Sequence, residues 1–92
     1  MENRAHLNKI MPGLYLGNHV ASKSKILLSE NNITHVLSFG SGLPPKFPKD
    51  FTYMWVKESD VASTDLFQHF EACHSFIKDA ISSGGRILVH CL

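Results

Sequence analysis

The sequence predicts an α/β fold with a mostly parallel central sheet flanked by helices. Short runs of apolar β-branched or aromatic residues alternate with stretches whose apolar residues recur at helical spacing. The last run, Ile87–Val89, follows Gly84-Gly85 and contains no polar residue, which is typical of a strand buried on both faces. The longest helical stretch directly precedes this run, as expected for a crossover between parallel strands.

Length and composition indicate one globular domain of 92 residues, of which 43% are hydrophobic and 18% charged. The net charge of +1 gives no strong field, so we expect neither nucleic acid nor a membrane as a partner. No stretch approaches the ~20 apolar residues of a membrane span, and Met1–Asn8 lacks a secretion signal. Two cysteines suit a reducing compartment. We therefore expect a cytoplasmic location, with the nucleus as the alternative.

The amino-terminal third predicts a turn, a strand and a helix. Residues 1–9 mix charge and histidine without a period and are predicted to be a disordered terminus. Pro12-Gly13 marks a turn, and Leu14–Gly17 form a short strand. Helix is predicted from about Ala21 to Asn31, and Asn32 tolerates the left-handed backbone that closes a helix.

The remaining chain predicts two more strands before the long helix and the last strand. Strands are predicted at Thr34–Phe39 and Phe51–Val56, separated by a loop rich in proline and glycine. After a polar loop, Asp65 is predicted to cap a helix that continues to about Ser83. The apolar stripe of this helix comprises Leu66, Phe70, Cys73, Ile77 and Ala80 or Ile81.

Cys91 is the first candidate for chemistry. It follows the final apolar run, and reaction sites in parallel sheets lie at the carboxyl ends of strands. A thiol beside free backbone amides loses its proton readily, and the thiolate is a nucleophile. The alternative is a buried inert cysteine, which is common among free cysteines. His90 should point to the opposite face, either as a core histidine bonded to backbone or as a residue that orients the cysteine.

Asp60 is the candidate general acid, because its loop could reach the end of the strand that carries Cys91. The alternative is an ordinary solvated carboxylate. Glu58 competes for the acid role, whereas Asp65 is better explained as a helix cap. Zinc would need Cys73-His74 together with His90-Cys91, and this spacing is poor for a zinc site. We therefore expect no metal and no cofactor.

The motifs together resemble the dual-specificity protein phosphatases, most closely the small atypical members. The similarity covers residues 10–92 and lies in Pro12–Gly17, Asn32–Leu37 and Gly85–Cys91. Asp60, followed by Asp65-Leu66 and a helix with Phe70 and Phe76-Ile77, also fits this family.

The resemblance implies hydrolysis of phosphotyrosine and phosphoserine or phosphothreonine in phosphoproteins. Cys91 would take the phosphoryl group as a thiophosphate, and His90 would help to keep the pKa of the Cys91 thiol low. Asp60 would protonate the leaving oxygen and then act as base for the attacking water.

The family signature places five variable residues, an Arg and a Ser or Thr after His-Cys, but only Leu92 follows Cys91 here. We therefore expect residues 1–92 to be an incomplete catalytic domain without the phosphate-binding loop and the carboxyl-terminal helices. Such a chain should be inactive by itself, and an uncovered sheet face would favour association. Two other functions remain open: a noncatalytic module that binds phosphoproteins or a partner, and an unrelated small α/β binding domain.

Overall fold

A five-stranded sheet forms the centre of the computed structural model, which describes residues 4–57 and 63–91. The strand order is β1-β2-β5-β3-β4, and only the pair of β1 and β2 is antiparallel. The mostly parallel sheet confirms the predicted fold class, and its middle strand is the one that carries Cys91. The strands are β1 Leu7–Met11, β2 Leu14–Gly17, β3 His35–Phe39, β4 Thr52–Val56 and β5 Ile87–Cys91.

Helices cover both faces of the sheet. Val36 and Leu88 join a buried cluster with Leu28 of the second helix, whereas their neighbours Leu37 and Ile87 join a cluster with the third. This alternation follows from the two-residue period of strands and places the helices on opposite faces. Within the described residues, no helix is long and apolar enough to cross a membrane. The helices are α1 His19–Ser22, α2 Lys25–Glu30 and α3 Ser63–Ser82.

The prediction of a disordered terminus is wrong for Leu7–Lys9, which belong to β1. The edge of β2 supplies backbone partners that the sequence pattern does not reveal. Just before β1, the amide of His6 donates to the Asn18 side chain at 3.0 Å, and the amide of Asn18 donates to the His6 carbonyl at 3.1 Å. The terminal segment is therefore held in place by strand pairing with β2 and by its hydrogen bonds to Asn18.

The single helix predicted for Ala21–Asn31 is two short helices. The Asn18 side chain caps α1 by accepting from the Ala21 amide at 3.0 Å. Ser24 interrupts the helical path and caps α2, accepting from the Leu27 amide at 3.2 Å. These residues compete with the continuous helix by offering side-chain partners to free amides. The left-handed backbone predicted near the end is present at Asn32, with φ of 58°.

The long helix begins at Ser63, so Asp65 lies within its first turn and the predicted cap at Asp65 is wrong. Its packing face also differs in part from the predicted stripe. Cys73 and Ala80 are buried as expected, but Phe70 is 63% exposed, and the prediction for Phe70 is wrong. The side chain of Leu66 lies outside the described residues. The α3 residues packed on the sheet are Cys73, Phe76, Ile77, Ala80 and Ile81.

Gly17 lies where β2 ends against the terminal segment. A Cβ at this position would lie 2.6 Å from the His6 carbonyl oxygen and 2.8 Å from a methyl of Leu88. We expect Gly17→Ala to lower the free energy of unfolding by about 1–3 kcal/mol, because this site has no room for a methyl group. Urea unfolding measures the change. Gly42→Ala is the matched control, since a Cβ there meets nothing within 4 Å. Equal losses in both variants would contradict the steric explanation.

Candidate active site

Cys91 is the last residue of β5, and its side chain is exposed. It pairs in register with Phe39 at the end of β3. By the alternation of strand residues, it shares a sheet face with Ile87 and Val89, the face on which α3 packs. The predicted position at the carboxyl end of the central strand is confirmed. Cys91 is exposed among the described residues, and its catalytic role stays a prediction.

Cys73 is buried, whereas Cys91 is exposed. It is buried among the α3 residues that pack on the sheet, and burial raises the pKa of its thiol. A buried thiol that keeps its proton is a poor nucleophile. Within residues 4–57 and 63–91, no three His, Cys, Asp or Glu side chains lie close enough together to hold a metal ion. Cys73 is therefore a core residue.

His90 lies directly before Cys91 and faces the other side of the sheet, as predicted. Its side chain is 4% exposed, and its Nε2 forms a 2.7 Å hydrogen bond with the hydroxyl of Ser38 on β3. Nε2 thus has a side-chain partner, and the backbone of Cys91 also acts on the ring. Nδ1 is buried and has no hydrogen-bond partner of acceptable geometry among the described residues. The His90 ring and the Cys91 side chain therefore lie on opposite faces of the sheet.

Ser38 is the residue that sequence reasoning missed at this site. It is 3% exposed, and its register partner on β5 is His90. A hydroxyl in an otherwise apolar strand was the available signal, because a buried hydroxyl needs a hydrogen-bond partner. Its position at the same strand end as the histidine would have suggested the pairing.

The pKa of His90 lies below its ordinary value of 6.5, mainly because burial disfavours the imidazolium. The backbone of Cys91 has a smaller opposing effect, and the charge of His19 lowers the pKa further. Unfolding exposes the ring, which then binds a proton at its ordinary pKa. Below about pH 6.5 the unfolded state therefore holds more protons than the folded state, and stability falls.

We expect the contribution of neutral His90 to the free energy of unfolding to be complete above pH 6.5. This contribution should decrease as the pH falls through the lowered pKa of His90. Urea unfolding at about pH 7.5 and about pH 5.5 measures the slope. His90→Gln should reduce the pH dependence, and the part that remains should include His35, whose pKa is also lowered by burial. His74→Gln, at an exposed position, is the control. An unchanged slope in His90→Gln would contradict this assignment.

Asp60 and its competitor Glu58 lie outside the described residues. In the sequence they follow β4, which lies two strands and therefore about 10 Å from β5. The end of β4 is anchored: the indole of Trp55 donates to the Gly40 carbonyl at 2.6 Å, and the Lys57 ammonium lies 5.0 Å from the Trp55 ring centroid. The carboxyl end of β4 and Cys91 lie at the same end of the sheet.

The sheet order and the exposed cysteine define an α/β protein with a candidate nucleophile at the carboxyl end of its central strand. The family model described as the dual specificity phosphatase catalytic domain matches residues 14–92. The chain belongs to the dual specificity phosphatase family.

Individual relatives agree with this assignment. Dual specificity protein phosphatase 1B of Arabidopsis thaliana is 42% identical over 91 residues, which are 99% of this chain and 54% of that protein. Dual specificity protein phosphatase 22-A of Danio rerio is 42% identical over 86 residues, covering 94% of this chain and 41% of the relative. The chain thus spans about half the length of the curated relatives it matches.

Solved structures show the same fold. The crystal structure of DUSP15 matches with a TM-score of 0.84 and 35% identity, covering 94% of this chain and 55% of that one. The crystal structure of human tyrosine phosphatase-like serine/threonine/tyrosine-interacting protein also matches with a TM-score of 0.84, at 25% identity, covering 92% of this chain and 61% of that one.

Proposed function

We propose that the protein hydrolyses phosphate monoesters of tyrosine and of serine or threonine in phosphoproteins, with Cys91 as the nucleophile. The observation that carries this proposal is the exposed Cys91 thiol at the end of the central strand, in a chain of the dual specificity phosphatase family. A nucleophile there is approachable from solvent and is carried by a strand that pairs with a neighbour on each side.

The proposed reaction has two displacements at phosphorus. The Cys91 thiolate forms a bond to phosphorus in line with the ester oxygen, and the phosphorus–oxygen bond breaks. Asp60 gives its proton to the departing oxygen, so the alcohol or phenol leaves neutral. The Asp60 carboxylate then accepts a proton from water, whose oxygen displaces the sulfur and releases inorganic phosphate. The thiolate and the protonated acid are restored.

His90 would act as a positioning residue. The hydrogen bond to Ser38 holds the imidazole in the core on the opposite face from the Cys91 side chain. A fixed ring at this point fixes the backbone of the last two residues of β5, and therefore the direction of the thiol. This role needs no contact between the ring and the sulfur.

The test of the proposal is a trapped intermediate in the full-length protein that carries these residues. Rapid denaturation during turnover of a phosphotyrosine peptide should leave the phosphoryl group on the peptide that contains Cys91, detected by mass spectrometry. A phosphoserine peptide tests the second substrate class. Turnover without phosphorylation of Cys91, or phosphorylation of another residue, would contradict the mechanism.

The 92 residues contain the proposed nucleophile and acid, but no residue in the place of the signature arginine. We expect this 92-residue polypeptide by itself to release no phosphate above background. Backbone amides and a bidentate guanidinium are needed to stabilise the negative charge on three phosphate oxygens. Removal of even one comparable hydrogen-bond donor lowers the rate by a factor on the order of 10²–10³. A colorimetric phosphate assay with an aryl phosphate measures this, with the full-length protein as control. Turnover by the polypeptide that Cys91→Ser abolishes would contradict the expectation.

A noncatalytic phosphoprotein-binding module is the second candidate. It is supported by the structural likeness to a protein named as tyrosine phosphatase-like and as an interacting protein. A module of this kind would bind phosphopeptides without releasing phosphate. The presence of cysteine at position 91 favours the enzyme, because binding alone needs no nucleophile.

The proposed partners follow from the proposed chemistry. The substrates are phosphoproteins, and association through the sheet face on the α3 side remains an expectation. Leu16 of this face is 46% exposed. We also propose a location in the cytoplasm or nucleus, which a tagged full-length protein observed by microscopy would test.

A further inference from the structure

A cavity of about 290 Å³ lies on the sheet face that carries α1 and α2, opposite the face of Cys91. It is bounded by the end of α1, the ends of β3 and β5, and the loop that joins β3 to β4. This volume is at the lower end of the range for small-molecule sites. Of the described residues assigned to the reaction, His90 contributes to its lining and Cys91 does not.

The innermost part of the cavity is polar. Ser38 and His90 both line it, both are almost fully buried, and they are hydrogen-bonded to each other. A hydroxyl has one hydrogen and two acceptor lone pairs, so Ser38 retains capacity for a further polar contact. The cavity therefore offers a hydrogen-bonding group at its base.

The walls are apolar and held in place. Leu43 and the adjacent prolines, Pro44 and Pro45, form one side, and the ring of Tyr53 forms another. The Tyr53 hydroxyl is already engaged, because it accepts from the Phe47 amide at 3.1 Å. This hydrogen bond connects the loop between β3 and β4 to a residue of β4. The apolar walls are therefore preorganised before any ligand enters.

The exposed part of the lining is positively charged. It includes Lys23 and Lys46, and none of the described lining residues is acidic. The carboxylate of Asp50 influences Tyr53 electrostatically, but it is paired with the Lys25 ammonium at 3.2 Å. An anion at the cavity mouth would therefore be close to two lysine side chains.

We propose that this cavity binds a small organic anion with an apolar body, of the aryl or alkyl carboxylate or sulfonate class. The apolar body lies between the Leu43–Pro45 segment and Tyr53, and the anionic group lies near Lys23 and Lys46. Ser38 contacts a polar atom of the ligand where it has one. This cavity lies on the opposite sheet face from the Cys91 side chain, and its occupation does not depend on the proposed catalytic activity.

The test is fluorescence titration of the full-length protein with anilinonaphthalene sulfonate. We expect saturable binding at one site that weakens with rising salt, because the mouth is exposed. The double variant Lys23→Gln/Lys46→Gln should bind about tenfold more weakly or worse. The matched control is Lys9→Gln/Lys49→Gln, which removes two exposed lysines outside the lining and should leave affinity unchanged. Phenylnaphthylamine, which has the same rings without the sulfonate, should bind both variants equally.

Three results would overturn the proposal. Equal affinity of the two double variants for the sulfonate would remove the lysines from the site. Displacement of the probe by orthovanadate, or loss of binding in Cys91→Ser, would place the probe at the phosphate monoester site instead. A crystal structure of the full-length protein in which residues outside these 92 fill the cavity would exclude the ligand. Absence of phosphatase activity would leave the titration fully interpretable.

Discussion

Replacement of Cys91 by serine in the full-length protein is expected to abolish phosphate release from both phosphotyrosine and phosphoserine peptides. A serine hydroxyl keeps its proton near neutral pH and is a much weaker nucleophile than a cysteine thiolate. Loss of a nucleophile lowers kcat by about 10³ or more in comparable enzymes. Steady-state phosphate release measures the effect.

Cys73→Ala is the matched control for this substitution. It removes the buried cysteine of α3 and leaves the exposed one intact, so turnover should persist once folding is verified by circular dichroism. Retained turnover in Cys91→Ser would remove Cys91 from the nucleophile role. If the wild-type protein binds phosphopeptides without any turnover, the noncatalytic module becomes the better assignment.

Replacement of Asp60 by asparagine is expected to lower kcat by about 10²–10⁴ for phosphoserine and phosphotyrosine peptides. The reason is that an amide cannot protonate the departing oxygen. The loss should be much smaller for aryl phosphates with good leaving groups, which depart with little protonation. The decline of kcat at high pH, caused by ionisation of the acid, should also disappear.

Glu58→Gln provides the comparison for Asp60→Asn, since the two acidic residues are two positions apart in the sequence. It should leave the dependence on leaving group unchanged. If Glu58→Gln shows the selective loss and Asp60→Asn does not, the acid is Glu58. Equal slowing of all esters by Asp60→Asn would mean that the residue acts in binding and not in proton transfer.

Much of the parallel sheet was predictable because its strands have a distinct local signature. Leu14–Gly17 and the apolar part of β5 were located correctly, and the predictions for β3 and β4 each begin one residue early. Strands buried on both faces are continuous apolar runs, so they can be recognised from the sequence alone. The same reasoning placed Cys91 at a strand end and His90 on the opposite face.

The errors lie where a segment's structure depends on its surroundings. Leu7–Met11 have no strand pattern of their own and become a strand through pairing with β2. Phe70 has the spacing of a buried residue, but α3 packs on the sheet through Cys73 and the residues after it. Spacing along a helix defines a face, and only the contact with another element decides which part of that face is covered.

The amino-acid sequence by itself determined the fold class, the central strand and the candidate nucleophile, because these depend on the local periodicity of apolar residues and on one cysteine beside them. Only the tertiary structure decided that Ser38 binds His90, since residues so far apart in the chain meet through strand order and register. It also decided the exposure of Cys91 and the presence of a lysine-lined cavity behind it. Contacts of this kind arise from the packing of several elements, and no single segment encodes them.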